Sequence, residues 1–157
     1  MIRPDDEPAL DLDWFALDAQ GAVGHFTTGG CGGLPRSVAA SREDVDRLRD
    51  YFLALPETGA AILNPNRASS LPLFRPRAPD PAAQLRPWTA TAARGLYAYD
   101  YVEDRRRRPR PYAQVARPEL PLHADELPAE IRSVLQRTVL RDVVFASGDV
   151  ISLKSLL

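Results

Sequence analysis

A chain of 157 residues, 45% apolar and 26% charged, has the size and makeup of one folded domain, which excludes disorder over its whole length. Its net charge of −1 gives no global electrostatic case for nucleic-acid binding. The only cysteine, Cys31, excludes an intrachain disulfide and a cysteine-based zinc centre.

Charge is nonetheless uneven along the chain. Residues 1–20 hold Asp5, Asp6, Glu7, Asp11, Asp13 and Asp18 against Arg3. Residues 94–117 hold seven arginines against Asp100, Glu103 and Asp104. The N-terminus is acidic and lacks the apolar run of a secretory signal, and no stretch reaches the length of a membrane span. A cytoplasmic location is therefore expected.

Residues 1–9 read as a loose polar arm before a single domain spanning 1–157. Leu12 to Asp18 reads as a central strand, apolar on both faces (Trp14 and Ala16; Phe15 and Leu17). Asp18-Ala19-Gln20-Gly21 signals a turn, and Ala22 to Thr28 returns as the partner strand. The glycine cluster 29–33 follows. Ser41 opens the clearest helix, with Asp44 completing a box-like cap and Val45, Leu48, Phe52 and Leu55 forming one apolar stripe. Pro56 and Gly59 end it.

Residues 64–88 carry prolines at 65, 72, 76, 79, 81 and 87 and read as a proline-rich loop, with a short edge strand around Leu71 to Phe74. Ala90 to Arg94 reads as a short helix stopped by Gly95. Leu96 to Val102 alternates, with Tyr97, Tyr99 and Tyr101 on one face, and Tyr112 to Ala116 returns beside it. A second helix starts at Leu127-Pro128, with Ile131, Val134, Leu135 and Thr138 on one face. Val143 to Phe145 reads as the last strand. The expected fold is α+β: an antiparallel sheet of four to six strands built from hairpins, with two main helices packed on one face.

Several clusters invite chemistry. Gly30, Cys31 and Gly32 sit in a loop of the type that cradles phosphate, but no lysine or hydroxyl follows in P-loop register and Pro35 separates the glycines from the next helix. A tight turn or a contact loop is the simpler reading. Cys31 with His25 suggests a nucleophile and its base, against the plainer reading of a small buried apolar group. His123, in His-Ala-Asp-Glu, suggests a metal ligand, against the plainer reading of a helix entry. Arg105, Arg106, Arg107, Arg108 and Arg110 form the strongest chemical feature, at an expected hairpin tip. They suit carboxylates or phosphates, with a solvated tip as the plain alternative. The tyrosines beside them read as sheet packing more readily than as a base-stacking platform.

Trp14-Phe15-Ala16-Leu17-Asp18-Ala19-Gln20-Gly21-Ala22-Val23-Gly24-His25-Phe26, then Thr28-Gly29-Gly30, the helix at Ser41 and Gly95-Leu96-Tyr97-Ala98-Tyr99-Asp100, resemble segments of small bacterial proteins of the polymorphic-toxin immunity type. The resemblance covers about a quarter of the chain and carries no functional residue. It implies a non-enzymatic antidote that occupies the surface of a cognate toxin.

The expectation is thus a cytoplasmic protein-binding module with no catalytic residue, cofactor or metal. Its contact residues are Trp88, Arg105, Arg106, Arg107, Arg108, Arg110, Gly30, Cys31 and Gly32. A small enzyme using Cys31 and His25, and a nucleic-acid-binding module using Arg105 to Arg110, are the alternatives.

Overall fold

Asp18 closes the first hairpin as its position at a turn requires. Its Oδ1 accepts the backbone N–H groups of Gln20 and Ala22, both at 2.9 Å, and Gly21 takes φ +81° behind it. The flanking strands are β1 (Asp13–Asp18) and β2 (Val23–Thr27), antiparallel, with Trp14 opposite Phe26 and Phe15 opposite His25. The computed structural model describes residues 1–2, 11–30, 33–64, 80–102, 111–147 and 150–153.

After β2 come α1 (Arg36–Ala39), α2 (Arg42–Leu53), β3 (Ala61–Leu63) and α3 (Pro81–Ala93). Then follow β4 (Tyr97–Tyr101), β5 (Tyr112–Pro118), a 3-10 turn (Ala124–Glu126), α4 (Ala129–Leu135), β6 (Val139–Leu140) and β7 (Val150–Ile151). Among the described residues the sheet has seven strands in the order β3-β5-β4-β2-β1-β6, with β7 beside the start of β5.

Both expected hairpins form, β1–β2 and β4–β5, but they are joined in parallel. Thr27 of β2 lies opposite Asp100 of β4, and β6 also runs parallel to β1. The sheet is therefore mixed and larger than the antiparallel one expected. The physical reason is the long connection between β2 and β4, which carries α1, α2, β3 and α3 and delivers the second hairpin in the direction of the first. Parallel neighbours require such a crossover.

The N-cap reading of α2 holds. Ser41 Oγ accepts the Asp44 N–H at 3.1 Å, and Val45, Leu48 and Phe52 are buried. The expectation of two main helices does not hold. Four helices are described, and the second long one, α3, includes the short helix read at Ala90 to Arg94 but begins at Pro81, within the stretch 64–88 read as a proline-rich loop. Proline sits at its first turn, where no N–H is needed, and Asp80 caps it by accepting the Ala83 N–H at 3.0 Å. Pro87 stays in the helix interior, normally costly by about 3 kcal/mol. The buried stripe Leu85, Thr91 and Ala92 anchors the helix on the sheet despite it. The edge strand expected at Leu71 to Phe74 falls outside the described residues.

Val143 to Phe145 is not a strand either. The Phe145 N–H donates to the buried Asp18 Oδ2 at 2.8 Å instead of to a sheet neighbour. Its ring enters the core opposite Gly24, where a Cβ would lie 2.7 Å from it.

Helices α2, α3 and α4 cover one face of the sheet. Phe15, Leu17 and Val23 there meet Leu48, Phe52, Ile131 and Leu135. On the other face Trp14, Phe26 and Tyr99 stack across β1, β2 and β4 at centroid separations of 4.1 and 4.8 Å. Leu34, Val38, Phe145 and Leu153 cover them. Tyr97 and Tyr99 are thus packing residues, as the plainer sequence reading held. No described helix is long and apolar enough to cross a membrane.

Candidate functional site

The parallel pairing of β2 with β4 lines up polar side chains on the helix-covered face. Asp13, Thr27 and Asp100 form one row across β1, β2 and β4, and Phe15, His25 and Ala98 form the next. Strand alternation dictates this, because residues two apart share a face. The row lies at the carboxyl ends of the two parallel strands.

His25 is buried and has both ring nitrogens engaged. Nε2 lies 3.1 Å from Asp13 Oδ1, and Nδ1 lies 3.1 Å from Thr91 Oγ1 on α3. An ionised carboxylate only accepts, so Nε2 donates to Asp13, while at Nδ1 a neutral ring accepts the threonine hydroxyl and a charged ring donates to its oxygen. The ring stacks on Phe15 at 4.8 Å, which fixes its plane. Burial would raise the Asp13 pKa, but the His25 hydrogen bond and charge, with Arg49 of α2, outweigh it and hold the carboxyl below its ordinary value.

Asp100 is the opposite case. It is 7% exposed, and burial pushes its pKa up to about 6. The Thr27 hydroxyl, 2.6 Å from Oδ1, and the Tyr101 backbone N–H favour the ionised form. Asp11 pushes the pKa further up, and His25 pulls it down. A carboxyl group that binds its proton near neutrality, beside a histidine–aspartate pair, is a common feature of functional sites.

The described flanks of two sequence-predicted regions meet at this end of the sheet. Gly29 and Gly30, with φ of +52° and +68°, turn the chain immediately after β2, and Gly29 packs against the ring of Tyr101 at the end of β4. The β4–β5 connection is closed at its base by Val102 N–H donating to Pro111 C=O at 2.8 Å. Arg105, Arg106, Arg107, Arg108 and Arg110 belong to that connection, and they lie outside the described residues, as do Cys31 and Gly32. The pairing of Cys31 with His25 is therefore not seen, and the described partners of His25 are Asp13 and Thr91.

Trp88 stands apart. It is half-buried on α3 against Leu85 and Val115 and against the alanines Ala92, Ala98 and Ala116, in the other half of the sheet. Its Nε1 is buried with no hydrogen-bond partner among the described residues. An open groove of about 490 Å³ lies nearby, between Leu63 of β3 and Asp80, Leu85 and Thr89.

No protein-family model matches the chain, and comparison with curated proteins and with solved structures finds no significant match. No group of three metal-binding side chains occurs among the described residues. His123 heads the 3-10 turn, its backbone N–H donating to Glu126 Oε1 at 2.8 Å, which is the helix-entry role.

Sequence reasoning missed Asp13, Thr27, Thr91 and Asp100. One signal was present: Asp100 is the acid in Tyr97-Ala98-Tyr99-Asp100-Tyr101, on the strand face opposite the tyrosines.

Proposed function

We propose that the chain is a cytoplasmic protein-binding module of the immunity type, contacting its partner through the end of the sheet where β2 and β4 finish. The observation that supports it is the contact of Gly29 with Tyr101. It sets the Gly29–Gly30 turn, which leads into Cys31 and Gly32, beside Tyr101, which leads into the arginine-rich connection. Arginine is enriched in interface hot spots and pairs bidentately with carboxylates. The partner is accordingly a protein with an acidic surface, and a cognate toxin fits that description. Trp88 belongs to a second area beside the groove at β3.

The test is affinity capture from the source organism's lysate with the wild-type chain and with Arg105 to Arg108 replaced by serine. One stoichiometric partner held by the first and lost by the second supports the reading. Equal recovery by both, or no partner, discards it.

A second reading, a small enzyme, draws on the Asp13–His25–Thr91 chain, in which a carboxylate orients an imidazole toward a hydroxyl. It predicts turnover of some acyl or phosphoryl ester that vanishes in His25→Gln. Absence of turnover by the wild type across such a panel removes it.

A further inference from the structure

Thr27 Oγ1 has two hydrogen-bond acceptors within reach. It lies 2.6 Å from Asp100 Oδ1 and 3.2 Å from the backbone carbonyl of Tyr99. A hydroxyl has one proton to donate and lone pairs with which to accept. With Asp100 ionised, Thr27 donates to the carboxylate. With Asp100 protonated, the acid O–H donates to Thr27 Oγ1, and the threonine proton turns to Tyr99 C=O. Both arrangements use the same atoms and differ by one proton taken from solvent.

We propose that Thr27 and Asp100 form a proton-operated latch across β2 and β4, in which one hydrogen bond reverses direction and only the protonated state leaves the buried row uncharged at Asp100. The described groups around it set that balance. Asp11, just before β1, repels the ionised form. His25 on β2 attracts it when charged, and Arg49 of α2 acts on Asp13. Helix α3 presents Thr91, and β5 places Ala113 opposite Asp100, so among the described residues neither element supplies a compensating cation there. Burial sets the proton's departure near pH 6. Above it a charge sits in the sheet, and the strand ends that carry the Gly29–Gly30 turn and Val102 loosen. Below it they tighten. The inference stands whether or not the binding reading holds.

The direct measurement is a carboxyl-carbon NMR titration of Asp100, with backbone amide protection followed at Thr28 and Val102. Their N–H groups close this end of the sheet on Leu12 C=O and Pro111 C=O. The wild type is expected to titrate near 6, with protection falling several-fold as pH rises through that value. Thr27→Val removes the donor to the ionised form, so the midpoint moves further up, and Thr27→Ser returns it. Asp100→Asn abolishes the pH dependence of protection. A wild-type midpoint in the ordinary carboxylate range, or one that Thr27→Val leaves in place, overturns the proposal.

Discussion

Gly29 lies so close to Tyr101 that a Cβ on the glycine would overlap the ring at Cε1. The same residue holds φ +52°, where L side chains are strained. Gly21 has a similarly positive φ of +81° but nothing within 4 Å of a Cβ. The two glycines therefore separate backbone strain from close packing. Gly21→Ala is expected to cost about 1 kcal/mol, the strain alone, and Gly29→Ala about 2–3 kcal/mol because the tyrosine must also move. Urea denaturation midpoints measure both. Equal losses would show that the Tyr101 contact contributes nothing.

Asp100 and Asp13 carry opposite pH signatures. The Asp100 pKa is raised from 3.8 to about 6 in the folded state. Its contribution is therefore fully present below about pH 4 and is lost as pH rises through about 6. Two pKa units correspond to roughly 3 kcal/mol, an upper figure for the gain on replacing the buried charge. Asp100→Asn is expected to melt higher than the wild type at pH 8 and to lose that advantage at pH 4. Asp13, with its pKa lowered, contributes stability above its unfolded value that is lost as pH falls. Asp13→Asn is accordingly destabilised at pH 7, with the difference shrinking toward pH 3. Thermal melts across the range test both signs.

Tyr112 joins the buried Trp14 to the half-buried Gly33. Its hydroxyl accepts from Trp14 Nε1 at 3.2 Å and donates to Gly33 C=O at 3.0 Å. Tyr112→Phe keeps the ring in its edge-on contact with Trp14 and takes these partners away. A loss of about 1–3 kcal/mol is expected, since a buried indole N–H without its acceptor bears the desolvation cost. A variant as stable as the wild type by chemical denaturation would mean that water replaces the hydroxyl.

Phe145 fills the space over Gly24 and is fully buried. Phe145→Ala leaves a cavity against Phe26, Tyr97 and Tyr99 and should cost about 3–5 kcal/mol. Calorimetry on the variant reads the loss, and a melting temperature within a few degrees of the wild type would contradict it.

Local chemistry made much of this fold legible from the sequence. The Asp18–Gly21 turn, the Ser41 cap of α2, the alternation of β1 and β4 and the proline entry to α4 depend on residues within a few positions of one another. Their hydrogen bonds and periodicity are written in short windows. The glycine turn and the packing role of the tyrosines could be read in the same way. The last turn of α3 was legible at Ala90 to Arg94, but its first turns were hidden because proline content outweighed a Leu85–Trp88–Ala92 stripe whose value appears only against the sheet. Val143 to Phe145 was misread because its β propensity is overridden by one hydrogen bond to a carboxylate far away in the chain.

The tertiary structure alone decided that two hairpins join in parallel. No periodicity encodes that choice, since each hairpin satisfies its own pattern in either direction. The site follows from it: His25 and Thr91 are 66 positions apart, and Thr27 and Asp100 are 73 apart. A carboxyl group at position 100 is ordinary in an exposed strand. It holds its proton to about pH 6 because β2, β4 and the helices over them exclude water around it while leaving it a single hydroxyl and a backbone N–H to rely on.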